Sequence, residues 1–410
     1  MKFIHTADLQ IGARFTQFGD KADLLRSARL STFKRILEVA AEKKAEAVLV
    51  SGDTFESNQI SDDLVEKTYE LLKAHPDVPV VLLPGNHDPL DGPGCIWRRK
   101  PFSEPPAHVT VCESQDIFEI GQASFLPVPI TQKISTKDPS LPMVDMAESV
   151  SKDNIKIGIT HGALAIESKH QPNDHPIALD AASRAGLDYL AIGHWHKPQE
   201  YDKNRLVMPG TPEPDDFDQG SGTVSFVEIS SPGAEPSITH LDCATYSWQK
   251  VSVNLLDQDA TSEVIANSLS NCDSQPDFTV LRMELEGPLP AEKRDVLFSS
   301  ITELTEEYVA VLIKDDTTTI LSESLWNACL QEHPLLAQVF ADVQQARSYS
   351  TGDQPALDCT GQEKLTINEF QNICENMHID LNKLDKTTFE SMMSLLTAEV
   401  GKIQSGGGSE

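Results

Sequence analysis

Five short segments gather side chains that suit a divalent cation: Asp8 and Gln10 in "ADLQ", Asp53 in "SGD", Asn86 and His87 in "PGNHD", His161 in "THG", and His194 with His196 in "GHWH". Carboxylate, carboxamide and imidazole donors in this mixture fit a borderline-hard ion such as Mn²⁺, and a carboxylate can bridge two such ions. A lone histidine or a lone Gly-Asp pair is usually structural. The ordered recurrence of such groups, each at the end of an apolar run, is what points to a metal centre.

Those apolar runs are the elements that must position the ligands. "KFIHTA" predicts a strand, and residues 21–44 place Leu24, Leu25, Ala28, Phe33, Ile36, Leu37 and Ala40 at helical spacing. "AEAVLVSGD" predicts a second strand, residues 61–74 open with a Ser/Asp cap signal and predict a second helix, and "VPVVLLPGNHD" predicts a third strand. The first ninety residues therefore read β-α-β-α-β. Strands of such units are parallel and buried, with functional loops at their carboxyl ends, so Asp8, Asp53 and Asn86 share one edge.

The middle of the chain changes to short strand-like runs, "HVTVCES", "DIFEIGQASFLPV", "IKIGITHG", "LDYLAIGHWH" and "GTVSFVEIS". That pattern suits a sheet packed on a second sheet with helices outside. "SSPGAEPS" over 230–237 is a turn near the end of this domain, taken as 1–240. A small α+β domain follows over 241–325, then a helical region over 326–400 and a tail of flexible-linker composition over 401–410.

Composition narrows the function classes. The 410 residues suffice for two or three domains, and 39% hydrophobic with 23% charged residues is ordinary for a globular protein. The N-terminus lacks the long apolar core of a secretion signal, and no run is long enough to cross a bilayer, so a cytoplasmic protein is expected. The seven cysteines are scattered without C-x-x-C spacing and read as reduced, packed thiols. A net charge of −30 opposes unaided nucleic-acid binding, which normally relies on Lys and Arg. Screening over about 10 Å at 0.1 M salt still permits a local basic patch. The acidity could equally reflect an acidic proteome with no functional message.

With these motifs in place, the chain resembles the calcineurin-like metallophosphoesterases, whose order is Asp-x-His, Gly-Asp, Gly-Asn-His-Asp/Glu, His and Gly-His-x-His. Within them, "FIHTADLQIG", "SGDTFESN", "LPGNHDP" and "GHWHKP" followed by "VMPGTPE" are most similar to the SbcD nucleases, bacterial relatives of the meiotic-recombination-eleven nuclease. The resemblance spans residues 1 to about 230 by motif and about 320 by layout. It implies an α/β metallophosphoesterase fold, a two-sheet α/β/β/α sandwich, followed by a small α+β capping domain and a C-terminal helical region. By position it implies that Asp8, Asp53 and His196 hold one metal, with Asp53 bridging to a second held by Asn86, His161 and His194. His87 matches the family's catalytic histidine, contacting the scissile phosphate and protonating the leaving oxygen.

Gln10 departs from that pattern, standing where the family has histidine. Its carboxamide oxygen is a neutral, weaker donor than imidazole, so lower affinity at the first metal is expected rather than an empty site. Relaxed selection would erode other ligands too, yet seven of eight family positions are intact. His5, three residues from Asp8 on a strand, points to the opposite face and is expected to pack or to support ligands from behind. Asp88 and Glu56 are expected to orient ligands through hydrogen bonds. "CIWRRKPF" places Trp97, Arg98, Arg99 and Lys100 just after His87, where arginines could hold a phosphate and an aromatic could stack a base; a solvated loop fits equally. His170 and His175 offer no matching spacing and read as surface residues.

The resemblance implies a two-metal-dependent DNA phosphodiesterase using Mn²⁺ or Mg²⁺, an exonuclease with endonuclease action alongside. It would work as a homodimer and with an SMC-like ATPase of the SbcC type, bound through residues 326–400, in DNA repair or defence. An acidic nuclease subunit would then stay off DNA until its partner supplied a basic groove. Two alternatives stand beside it: an enzyme for nucleotides or other small phosphoesters, and a scaffold subunit whose metal site is attenuated.

Overall fold

β1 (Lys2–Thr6), β2 (Ala47–Ser51) and β3 (Val80–Leu83) are short strands buried on both faces apart from Lys2, as central parallel strands must be, and β2 and β3 are almost wholly apolar. Between them run α1 (Ala22–Glu42) and α2 (Asp62–Lys73). Ser61 caps α2 by accepting from Leu64 N, and Asp62 and Asp63 in its first turn and Lys73 in its last complement the helix dipole. β4 (Val109–Val111), β5 (Phe118–Ile120), β6 (Ala123–Pro127), α3 (Met143–Ser149), β7 (Ile155–His161), α4 (Ala181–Arg184) and β8 (Tyr189–Gly193) follow. β9 (Gln199–Tyr201), β10 (Leu206–Met208), β11 (Thr223–Glu228) and β12 (Ser237–Asp242) complete two six-stranded sheets.

The first sheet has the order β12-β11-β1-β2-β3-β4 and the second β5-β6-β7-β8-β10-β9. β1 to β4 are parallel, as are β6, β7, β8 and β10, while antiparallel strands close the edges. The period-two alternation of each strand divides the core into three layers. Ile4, Val48, Val50, Val80 and Leu82 meet Phe33, Ile36 and Leu72 of the first two helices. Phe3, Leu49, Val81 and Leu83 meet Phe125, Ile157, Ile159 and Ala191 of the other sheet. Leu190, Ile192, Leu206 and Met208 turn outward onto Met143, Ala147, Ala181 and Ala182 of α3 and α4. The result is the α/β/β/α sandwich. All the parallel strands of one sheet end at the same edge, which is where the sequence places its ligands.

The computed structural model describes residues 1–166, 171–220, 222–255, 262–270, 272 and 275–320. The helical region expected over 326–400, the tail over 401–410, and His170 lie outside the described residues. Beyond the two sheets come β13 (Ser247–Asn254), α5 (Ser262–Ser270), β14 (Thr279–Pro290), α6 (Ala291–Leu304) and β15 (Ala310–Ile320), the strands pairing in the order β13-β14-β15. The chain separates into two units. Among the described residues, one comprises Met1–Gln249 with 275–282 and Tyr308–Leu312, and the other comprises residues within 250–272, Met283–Glu307 and 313–320. Cys95, Cys112 and Cys243 are free, buried thiols, and among the described residues no helix is long and apolar enough to cross a membrane.

His5 lies in the layer between the sheets, fully buried, its Nδ1 2.9 Å from Tyr189 Oη and its Nε2 2.8 Å from Ser51 Oγ. Burial pushes its pKa down to about 3. Below the ordinary value of 6.5 the unfolded chain therefore takes up a proton that the folded chain refuses, so His5 costs stability as pH falls from 6.5 towards about 3 and costs none above that window. Urea titrations of the parent and of His5→Gln should diverge as pH drops, the parent losing up to ~1.4 kcal/mol per pH unit relative to the variant. Parallel curves would contradict a neutral, buried His5.

Candidate metal centre

Asp8 and Gln10 follow β1, Asp53 follows β2, Asn86 and His87 follow β3, His161 ends β7, and His194 and His196 follow β8. Forming the edge is conformationally costly. Asp8, Gln10 and Asp53 have φ of 53°, 47° and 53°, and His194 134°. Non-glycine residues in this region carry strain of about 1–3 kcal/mol each and are held there only by their surroundings. Asp8 N donates to Gly52 O at 3.1 Å and Gln10 N to Asp53 O at 3.0 Å, stitching the two strand ends together. Gly52 is required for the same closeness: its φ is 101°, and a Cβ there would lie 2.1 Å from His161 Nδ1.

Ligand atoms of Asp8, Asp53 and His161 all lie within 4.8 Å of one another, and all three residues are buried. Asn86 Oδ1 sits 2.8 Å from His161 Nε2 and 3.0 Å from His194 Nδ1, and His161 Nε2 is 3.3 Å from Asp53 Oδ2. Four donor atoms from both sheets thus converge on one point. The rings of His161 and His194 are turned there by partners on their other nitrogens, and the ring of His196 is held by an acid in the same way. His161 Nδ1 donates to Ser51 O at 2.9 Å, His194 Nε2 to Asp174 Oδ2 at 2.8 Å, and His196 Nδ1 to Asp215 Oδ1 at 3.0 Å. Metal-ligating histidines are oriented in this way almost without exception.

Buried acceptors without donors point the same way. Asp8 Oδ1 and Gln10 Oε1 are buried and have no hydrogen-bond partner, although Asp8 Oδ2 accepts from His194 N at 3.1 Å. An unsatisfied buried acceptor costs ~1–3 kcal/mol, a cost that a cation removes. The donor set of Asp8, Asp53 and His161, with the neutral oxygen of Asn86 beside it, therefore fits a divalent metal. Gln10 presents Nε2 to Asp53 Oδ2 at 3.2 Å, so its amide must turn over before Oε1 could face an ion.

Charge in the site is shared between acids and histidines. Burial raises the Asp8 carboxyl above its ordinary value, whereas Asp53, equally buried, is drawn well below it by His161 and His87. Burial disfavours the charged ring of His161, but Asp53 and Asp8 outweigh it and lift the pKa to about 9. His196 is likewise lifted to about 9 against burial, by its hydrogen bond to Asp215 and by the charge of Asp8.

His87 is one-third exposed beside this cluster. Its backbone N donates to Asp53 Oδ1 at 2.9 Å and its Nδ1 to Glu56 O at 3.0 Å. Glu56 thus touches His87 through its carbonyl, with the carboxylate 3.9 Å away. Asp88 accepts from Phe55 N at 3.0 Å and Gly85 N at 2.7 Å, tying together the loops that carry Asp53 and Asn86. Burial, and then the charge of Asp53, raise the Asp88 carboxyl to about 7.

Two expectations are corrected. Trp97 cannot stack a base, because it is 0% exposed, packs on Phe55 and Phe102, and donates Nε1 to Asp88 O at 2.6 Å. Its loop is anchored by that ring. Of the cations beside it, Arg99 is spent on Asp62 and Asn58 O, while Arg98 and Lys100 remain exposed near Glu113 and Glu104. His175 is buried rather than at the surface, its Nε2 3.0 Å from Gln132 O.

Sequence reasoning missed Asp174 and Asp215, which hold His194 and His196, and Arg29, which holds Asp215. The two acids lie in irregular loops with no periodic signal. Arg29 left a faint one, a cation on the apolar face of α1 between Ala28 and Thr32, a position that needs a buried partner.

Ligating imidazoles must give up their acidic protons. Calorimetric titration of the metal-free protein with Mn²⁺ at about pH 7.5, in buffers of different ionisation enthalpy, should report about two protons released, from His161 and His196. The release should fade as pH passes about 9. Loading without proton release would contradict the charge distribution given above.

The model of the calcineurin-like phosphoesterase family matches residues 1–198. A subunit of the nuclease SbcCD from Staphylococcus epidermidis is 25% identical over 238 residues, 52% of this chain and 61% of that protein. An uncharacterized metallophosphoesterase, YhaO of Bacillus subtilis, is 21% identical over 308 residues, 71% of this chain and 72% of that one. The DNA double-strand break repair protein Mre11 of Methanopyrus kandleri is 25% identical over 237 residues, 52% of this chain and 49% of that one. The chain thus spans between about half and three quarters of the length of these relatives. With the edge geometry, the family match makes residues 1–198 of this chain a calcineurin-like phosphoesterase domain.

Proposed function

We propose that this protein is a two-metal-dependent DNA phosphodiesterase of the SbcD type, acting as an exonuclease with additional endonuclease action. The observation that carries this is the orientation of His161 and His194 of the second sheet toward Asp53 and Asn86 of the first, with His87 exposed beside them. In this reading Asp8, Gln10, Asp53 and His196 hold a first metal, and Asp53, Asn86, His161 and His194 a second. Divalent cations bound there polarise the phosphoryl group and lower the pKa of water, with Mn²⁺ or Mg²⁺ as the ion. Asp53 presents one oxygen toward His161 and Gln10 while the other fixes the backbone of His87. His87, with Nδ1 committed to Glu56 O, has Nε2 left to protonate the departing alkoxide.

Relatives named for a nuclease and for double-strand break repair support DNA as the substrate. Arg98 and Lys100, exposed on the loop that follows His87, are the cations we place against the phosphate backbone; Arg99 holds that loop to Asp62. The net charge of −30 supports dependence on a partner with a basic surface, for which we propose an SMC-like ATPase of the SbcC type engaging residues 326–400. A cytoplasmic homodimer belongs to the same reading. The same acidity also favours a second one, hydrolysis of nucleotides or other small phosphoesters.

End-labelled duplex and single-stranded DNA, and a panel of nucleotides and small phosphodiesters, should be incubated with the parent, His87→Ala and Gln10→His across Mn²⁺ and Mg²⁺ concentrations. The parent should cleave DNA, His87→Ala should lose about 10²–10⁴-fold, and Gln10→His should reach its half-maximal rate at lower metal. Turnover of small phosphoesters with no DNA cleavage would overturn the nuclease assignment. Silence of all three variants on every substrate would favour an attenuated scaffold.

A further inference from the structure

Arg29 is the one arginine whose side chain is 0% exposed among the described ion pairs, and it stands on α1 with its guanidinium 5.3 Å from the Phe15 ring. One arm, Nη1, donates to Leu9 O at 2.8 Å. Leu9 lies between Asp8 and Gln10, both in the left-handed region, so this contact pins the middle of a strained turn. The other arm, Nη2, donates to Asp215 Oδ2 at 2.8 Å, and the second oxygen of Asp215 accepts from His196 Nδ1 at 3.0 Å. Gln219 Nε2 donates to that same oxygen. Thr211 closes the circuit: its Oγ1 lies 2.9 Å from Asp8 O and its N donates to His196 O at 3.1 Å.

We infer that Arg29 and Asp215 are paired positioning residues: together they set the first metal seat by joining the Asp8–Gln10 turn of one sheet to His196 of the other. The inference rests on the metal centre proposed above and extends it to residues that touch no substrate. The chemistry requires arginine. A planar guanidinium reaches two acceptors in fixed directions, whereas an ammonium is a point charge that satisfies one of them well. A positive charge beside a cation seat repels the cation, so what Arg29 contributes there is geometry. The second seat, built from Asn86, His161 and His194, has its own outer partners in Ser51 O and Asp174 and does not depend on Arg29.

The test is Mn²⁺ binding to the full chain, followed by calorimetry and by the resonance of free Mn²⁺, with His196→Ala marking the first class of site and His194→Ala the second. Arg29→Lys and Asp215→Asn should each weaken the first class about 10- to 100-fold and leave the second within about twofold. Ile36→Val, which trims the core face of the same helix, should lower thermal stability and leave both classes in place. Arg29→Lys preserves the charge, so an electrostatic effect alone predicts no change in it. Unchanged isotherms in Arg29→Lys and Asp215→Asn, equal weakening of both classes, or a single class in the parent would each overturn the inference. Loss of the first class in the variants of a parent that cleaves no DNA would uphold the inference while removing the nuclease assignment.

Discussion

The site depends on a buried carboxylate that both sheets must reach. Asp53 leaves β2 in a left-handed conformation, with one oxygen accepting the backbone N–H of His87 at 2.9 Å and the other facing Gln10 at 3.2 Å and His161 at 3.3 Å. A charge buried this deeply is tolerable only when paired. Here the pairing partners come from β1, β3 and β7, so satisfying Asp53 fixes the separation and register of the two sheets at their carboxyl edge. Small residues follow from that closeness: a Cβ at Gly85 would lie 2.2 Å from Asp53 Oδ1, and one at Gly193 would lie 2.5 Å from Ser51 O.

Around this carboxylate the protein builds a second ring of contacts that differ from strand to strand. His161 is turned by a backbone carbonyl, His194 by Asp174 and His196 by Asp215, which is itself held by a buried arginine. Asp174 lies in the connection between β7 and α4 and Asp215 in the loop from β10 of the second sheet to β11 of the first, whereas Arg29 comes from a helix packed on the first sheet. Orientation of the rings is therefore shared across the whole sandwich. Gln10 fits the same logic: its side chain donates to Asp53 and keeps the turn closed, while its unpaired oxygen remains a weak ligand in reserve.

The path from residues to fold was legible where burial forces a repetitive pattern. β2 and β3 are nearly continuous apolar runs because both their faces are covered, and the boundaries of α1 and α2 fall within two residues of those read from spacing and capping. The candidate ligands stood out because each ends or closely follows a predicted strand. Asp174, Asp215 and Arg29 did not, since their importance lies in one long-range hydrogen bond apiece, and a single polar contact leaves no period in a sequence. Trp97 misled for a related reason: a loop rich in Arg, Pro and Gly looks solvated, yet its indole is anchored in the core by Asp88 O. His175 was misjudged alike, its burial arising from a bridge between distant loops that places Ser135 beside Asp174.

Carboxylates gathered at the metal edge need counter-charge, which the histidines supply in the metal-free protein and cations supply when bound. The most direct measurement is anomalous diffraction from crystals grown with Mn²⁺. Two peaks are expected, one among Asp53, Asn86, His161 and His194 and a weaker one among Asp8, Gln10, Asp53 and His196. A single peak away from Asp53, or none at saturating Mn²⁺, would contradict the account.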